Sequence, residues 1–325
     1  MGGRCGPCRG RDNVHSNESL REIKRVIRKR FACLAGALGG VLAASAAYAA
    51  QPRPWETGFQ PAATPIMSQI EWFNDYTLWF IIPIALLVVG LLLWCMIRFR
   101  AGRNPVPSRT AHNTVIEVLW TVGPVIVLLC IAVPSFQLLT AQYNPPQKPT
   151  MTVKATGNQW NWDYEYETAK PLKFNSAVLI DEKSRVALGK QNLAEYPRLL
   201  AVDHELVVPV DTTIRILVTG ADVIHSFSVP AFGIKTDAVP GRVNETWIKV
   251  EKPGLYYGQC SQLCGKDHAF MPIAVRVVTK DQFDTWYKAA QADLESANKA
   301  LMAAVDGKNN VAAATRAGNV VAAAD

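Results

Sequence analysis

Charge is scarce in this sequence. Lys, Arg, Asp and Glu make up 19% of the 325 residues, against about 25% in ordinary soluble proteins. Residues 76–97 carry no charge at all, and residues 98–113 carry four arginines but no acid. Cysteine is scarce too: there are seven, and Cys5, Cys8 and Cys33 fall within the first 50 residues. No Cys-x-x-Cys-His follows residue 271, which excludes a fused c-type cytochrome. No internal repeat is present, which excludes a solenoid. Aromatic residues are plentiful, with 9 Trp, 9 Tyr and 11 Phe, so the chain has the apolar surface that a disordered protein lacks.

The net charge of +7 suggests nucleic-acid binding only until it is divided. Residues 1–50 hold nine basic and three acidic side chains, or +6, and the remaining 275 residues hold 25 and 24, or +1. The basicity belongs to a leader, and nucleic acid drops out as a partner. Arg25, Arg28, Lys29 and Arg30 precede an apolar run from Phe31 to Ala47, and Ala47-Tyr48-Ala49 offers small residues where a signal peptidase reads. Residues 1–50 therefore read as a signal peptide with an extended n-region. The alternative is a short first membrane helix, which the brief Gly-rich run argues against. Cys5 and Cys8, although spaced as Cys-x-x-Cys, fall in this leader.

After an exported segment at 51–70, residues 71–143 read as a transmembrane hairpin with spans at about 76–97 and 116–139. Each is long enough for a hydrocarbon core of about 30 Å. Pro83, Pro124 and Pro134 are tolerable in membrane helices. Arg98, Arg100, Arg103 and Arg109 place the connecting loop in the cytoplasm, so both ends of the mature chain face outward. Trp72, Trp79, Trp94 and Trp120 suit interfacial anchors. Cys95 and Cys130 lie in the spans as small apolar residues.

Asn144-Pro145-Pro146-Gln147-Lys148-Pro149 leads out of the membrane. Residues 150–280 then alternate like short strands. Met151–Thr156, Leu206–Val210, Thr213–Val218, Thr246–Val250 and Ile273–Val278 are β-branched and punctuated by Pro, Gly and Asp. They predict an antiparallel sandwich or barrel. From 281 a helix is expected, then an Ala-rich mobile tail to 325.

The exported region holds three histidines and two cysteines. His225, Cys260, Cys264, His268 and Met271 are spaced H-x34-C-x3-C-x3-H-x2-M. Singly, each has a plainer reading: the cysteine pair as a disulfide, His225 as a satisfied polar residue, Met271 as core. Together they offer thiolate, imidazole and thioether, the donor set of copper electron-transfer sites. Zinc suits the same thiolates and imidazoles but leaves the methionine idle. A mononuclear blue-copper site needs one cysteine; a second on the same loop can bridge two ions. His204, between Asp203 and Glu205, reads as a surface residue.

Residues 65–290 resemble subunit II of cytochrome c oxidase, the haem–copper terminal oxidase, in its bacterial form. The resemblance is carried by Gly157–Tyr166, Asp222–Pro230, Lys235–Arg242 and Tyr257–Pro272. It implies a hairpin followed by an all-β cupredoxin-like domain with a binuclear CuA centre. Cys260 and Cys264 would bridge the coppers. His225 and Met271 would complete one, and His268 with the backbone carbonyl of Gln262 the other. Cytochrome c would deliver electrons through Trp160, steered by Asp163, Glu165 and Glu167. The electrons would pass to haem in subunit I, which also holds CuB, with subunit III and membrane lipid as further partners. Glu117 matches an acid at the entrance of a proton channel into subunit I. A magnesium or manganese ion against subunit I is also implied, but the family usually has Glu where this chain has Gln262, and an amide oxygen holds a hard cation more weakly.

The plainer readings of these last residues stay open beside the resemblance. Trp160, Trp162, Tyr164 and Tyr166 alternate as on a sheet face, Glu117 suits a helix N-terminus, and the acids suit a solvated surface. Three other functions are weighed. A quinol oxidase subunit II lacks the copper ligands. A copper chaperone with Cys-x3-Cys would be a thioredoxin-like α/β fold on one anchor. A nitrous-oxide reductase would need a second copper domain and no hairpin.

Overall fold

The computed structural model describes residues 51–106 and 108–305. The signal peptide expected at 1–50 and the tail beyond 305 lie outside the described residues.

Two long helices come first, α1 (Pro65–Arg98) and α2 (Thr114–Tyr143). At 1.5 Å per residue the 34 residues of α1 reach about 51 Å, well beyond a hydrocarbon core. The helix starts within the exported segment, ahead of the span expected from about 76. Thr64 explains the start. Its Oγ accepts from the Met67 N–H and donates to the Phe232 carbonyl at 2.8 Å, so one hydroxyl both caps the helix and fastens it to the exported domain. Ala63 adds backbone bonds to Ala231 and Glu251. The remaining apolar length of both helices is bare, with Leu86, Leu87, Leu119 and Leu129 all more than 60% exposed. That surface is stable only against lipid or partner helices. The Tyr76 hydroxyl donates to the Cys130 carbonyl at 3.0 Å and ties the hairpin together.

The exported domain contains ten strands in two five-stranded sheets. The first has the order β3 (Leu172–Ser176), β2 (Asn161–Tyr166), β1 (Met151–Asn158), β5 (Ile214–Gly220), β8 (Asn244–Ile248). The second has β4 (Leu206–Pro209), β10 (Pro272–Val278), β9 (Gly254–Cys260), β6 (His225–Val229), β7 (Ile234–Ala238). Inward residues alternate as period-two burial requires: Val153 and Ala155 on β1, Trp162, Tyr164 and Tyr166 on β2, Ile214, Ile216 and Val218 on β5.

The expected two-sheet domain is present and most of its strand pairs are antiparallel, but two are not. β1 pairs with β5 and β10 with β4 in parallel. Parallel neighbours need a long crossover, and the chain between β1 and β5 supplies one by running through β2, β3, the short helix α3 (Glu182–Ala187) and β4.

β10 is buried at all seven positions because the second sheet is covered on both faces. Leu179, Tyr196, Ala201 and Val202 from the segment between β3 and β4 pack on its outer side against Leu255, Tyr257 and Ala274. That burial encloses charge. Arg276 of β10 forms a bidentate pair with Glu205, and Lys190 approaches the same carboxylate at 3.0 Å. Burial works against the ionised carboxyl, yet the two cations outweigh it and hold Glu205 down at about 2. His204 is half-buried rather than on the surface. Its ring packs edge-on against Phe174, and Asn298 bonds its Nδ1 at 3.3 Å. Helix α4 (Lys280–Ala290) opens with a Thr279–Gln282 capping box and buries Phe283 and Trp286 beside Tyr166.

Candidate metal centre

Backbone geometry delivers each of the five side chains. His225 opens β6, and Phe227, two residues on, pairs with Cys260 at the end of β9. The loop 261–271 then turns back into β10. It is closed by a bond from the Cys260 N–H to the Met271 carbonyl at 3.3 Å, and the Ser261 N–H bonds the Ser226 carbonyl at 3.1 Å. A single 3-10 turn, His268–Phe270, brings the last two candidates round to the cysteines.

The sulfur of Cys264 is the hub. It lies 3.9 Å from Cys260 Sγ, 3.5 Å from His268 Nδ1 and 3.4 Å from Met271 Sδ. The ligand atoms of His225, Cys260 and Cys264 all fall within 4.8 Å of one another. The carbonyl of Gln262 is 3.2 Å from Cys260 Sγ. The cysteines are free thiols, and a sulfur separation of 3.9 Å is nearly twice a disulfide bond of about 2.05 Å. At a metal–thiolate distance of about 2.3 Å, both sulfurs can reach one common ion. Burial pushes the Cys264 thiol up to about 12, and the neighbouring Cys260 adds to the shift. Metal binding must therefore displace protons, and it strengthens as pH rises.

His225 carries the clearest mark of a ligand. Its side chain is completely buried. Nε2 is held by the Asp222 carboxylate at 2.8 Å, while Nδ1 is buried with no hydrogen-bond partner among the described residues. A carboxylate on one ring nitrogen, with the other left open, is how metal-binding imidazoles are commonly oriented. Asp222 also accepts the Gln159 N–H at 2.8 Å and the Val223 N–H at 2.7 Å. Its burial opposes ionisation, but the bonds from His225, Val223 and Gln159 more than offset that and hold its carboxyl below the usual range. Sequence reasoning passes over Asp222 in this role. The available signal is its place three residues before a candidate ligand. Gly157 on β1 leaves room for the ring, since a Cβ there would meet His225 at 2.9 Å.

Known proteins are similar to this chain over both its parts. The profile for cytochrome c oxidase subunit II, periplasmic domain, matches residues 151–278, and the profile for its transmembrane domain matches 52–138. A probable cytochrome c oxidase subunit 2 of Rickettsia bellii is 47% identical over 249 residues, covering 77% of this chain and 89% of its own. Cytochrome c oxidase subunit 2 of Cereibacter sphaeroides is 42% identical over 277 residues, covering 80% and 90%. The chain belongs to the cytochrome c oxidase subunit II family. The crystal structure of the periplasmic domain of subunit II of cytochrome oxidase of Bradyrhizobium japonicum is 51% identical, with a TM-score of 0.40, and covers 46% of this chain and 98% of its own.

Subunit II is an inner-membrane protein with two spans and a periplasmic domain. It receives electrons at a copper centre and passes them to subunit I of a haem–copper oxidase, where oxygen is reduced. The all-β domain on two long helices contradicts the thioredoxin-like α/β alternative. In this chain Trp160 sits in the β1–β2 turn, half-buried, and its indole N–H donates to the Cys264 carbonyl at 3.2 Å. Asp163, Glu165 and Glu167 are not grouped as free charges. Asp163 accepts from Asn158 and Asn175, and Glu165 pairs with Lys173 at 2.8 Å. The Gln262 side chain is exposed. Glu117 accepts the Asn113 N–H at 3.1 Å while Asn113 caps the first turn of α2, a reciprocal pair at the helix start.

Proposed function

We propose that Cys260 and Cys264 bridge two copper ions, that His225 through Nδ1 and Met271 complete one, and that His268 and the Gln262 carbonyl complete the other. The observation that carries this reading is the convergence of thiol, imidazole and thioether on Cys264, at 3.4 to 3.9 Å. Copper held by these residues would supply one-electron transfer. The protein's own part is to hold the ligands in place and dry: His225, Cys260, Cys264 and Met271 are each no more than 6% exposed.

Trp160 is the residue through which electrons arrive from cytochrome c. It is partly exposed, and its indole N–H is bonded to the backbone of a bridging cysteine. Asp163, Glu165 and Glu167 attract the donor, weakly for Glu165 because Lys173 screens it. Glu117 admits protons toward subunit I. Subunit III and lipid cover the remaining bare helix surface. A magnesium or manganese ion at Gln262 is the least supported member of the set. The domain limits follow the same reading: a cleaved leader to 50, the exported segment 51–70, the hairpin 71–143, the copper domain 150–280 and a C-terminal helix and tail.

The test is Trp160→Phe in the assembled oxidase. Oxidation of cytochrome c is expected to slow by about tenfold or more, an added barrier of at least roughly 1.4 kcal/mol. Electron flow from the copper onward, started by flash reduction, is expected to keep its rate. Unchanged cytochrome c oxidation removes Trp160 from the pathway.

A further inference from the structure

We infer that Lys266 selects the electron donor: it favours a one-electron carrier that brings a carboxylate, rather than a lysine, to the surface over Trp160. The inference rests on the reading of Trp160 as the gateway. Lys266 lies in the ligand loop between Cys264 and His268. Its Nζ stands 5.8 Å from the centroid of the Trp160 ring, within cation–π range. Its side chain is 80% exposed. Asp267 is the acid beside it, at 3.8 Å and itself 42% exposed. A pair that long and that wet neutralises little.

The position of Lys266 is fixed by the loop backbone. Trp160 Nε1 and Gln159 Nε2 both donate to the Cys264 carbonyl, at 3.2 and 2.9 Å. Gly265 follows with φ of +124°, and a Cβ there would strike the Trp160 ring at 2.9 Å. The loop therefore lies flat on the Trp160 turn, and Lys266 is the next residue along.

The attraction expected for a basic donor is weakened at one of the three acids. Glu165 is paired with Lys173 and stands in register with Lys154 on β1. Asp163 is bonded by two asparagines, which are neutral and leave its charge in place. A donor whose redox edge is ringed by lysines thus meets acids along β2 but an exposed cation beside Trp160, and like charges so placed oppose docking. A donor with an acid at that point gains a partner. The transfer moves one electron, oxidising the donor and reducing the centre behind Trp160. No bond is made and no proton moves, so Lys266 acts on docking.

The assembled oxidase would be assayed as wild type, Lys266→Ala and Lys266→Glu, each with a strongly basic and an acidic cytochrome c over a salt series. Lys266→Ala is expected to raise kcat/KM for the basic donor and lower it for the acidic one, each by about fivefold, the worth of one unit charge at contact distance in water. Lys266→Glu is expected to move both further in the same directions. Both shifts should shrink as ionic strength rises above about 0.15 M. Values unchanged for both donors, or shifted in the same direction, overturn the proposal. Trp160→Phe measured in parallel separates the two claims. If it oxidises both donors at the wild-type rate, the gateway reading fails and takes this inference with it. If it is slow while the Lys266 variants behave as wild type, the Lys266 inference fails alone.

Discussion

At His225 the two ring nitrogens have different surroundings. Asp222 holds Nε2, and Nδ1 is buried with no partner among the described residues. The same carboxylate accepts the Gln159 N–H, so it links His225 to the turn that carries Trp160. Asp222→Asn keeps the shape but removes the charge that orients the imidazole. Copper affinity, measured by titration with a competing chelator, is expected to fall about 10- to 100-fold. Unaltered affinity would make Asp222 a surface residue of no consequence to the metal. The five candidate ligand side chains stand out in sequence because soft donors at close spacing are rare on one exported loop. Asp222 is not, because an acid near a histidine is common and only the fold shows which nitrogen it faces. Lys266 is equally hidden, since nothing in sequence brings it over an indole 106 residues away.

Among the elements, the hairpin is the easiest to read. An uncharged run long enough to cross a bilayer, with arginines at one end, suits hardly any soluble fold. The extension of α1 back to Pro65 escapes a sequence reading because the cap at Thr64 is completed by Phe232, a residue far along the chain. Strands β6, β7 and β9 escape it for a related reason. The buried residues of β6 and β9 include His225, Ser226 and Gly258, which do not form an apolar alternation, and the pairing of all three comes from neighbouring strands. Glu117 belongs to this scale, since its carboxylate closes the start of α2. Glu117→Gln preserves an acceptor for the Asn113 N–H but cannot ionise. The proton role predicts that steady-state oxygen consumption falls severalfold while the complex keeps its thermal stability. A purely capping role predicts no change in turnover.

Across the whole molecule, the exported domain carries a buried ionic cluster on the side of the second sheet covered by residues 177–204. Glu205 there faces Arg276 and Lys190. Its carboxyl is depressed in the folded state, from 4.5 to about 2, so the charged form stabilises the fold above the unfolded value. That contribution is lost as pH falls from 4.5 toward 2. Acid unfolding followed by circular dichroism is expected to fall in that window. Glu205→Gln, which leaves two buried cations without their anion, is expected to cost about 3–5 kcal/mol at neutral pH. It should also flatten the acid limb. A variant as stable as wild type would mean that the cluster is solvated. None of this is visible in the sequence, where Lys190, Glu205 and Arg276 are ordinary charges in separate segments. The class of the domain is visible, because period-two apolar runs survive at β1 and β5.

The proposed electron transfer turns on whether loop 260–271 and His225 hold two coppers as one unit. Copper content and low-temperature electron paramagnetic resonance, taken together on the full chain purified in detergent and loaded with copper, decide it. Two coppers per chain are expected, with one unpaired electron whose hyperfine splitting comes equally from both. A single copper with its own hyperfine pattern, or a copper-free protein with Cys260 and Cys264 joined as a disulfide, would contradict the binuclear centre.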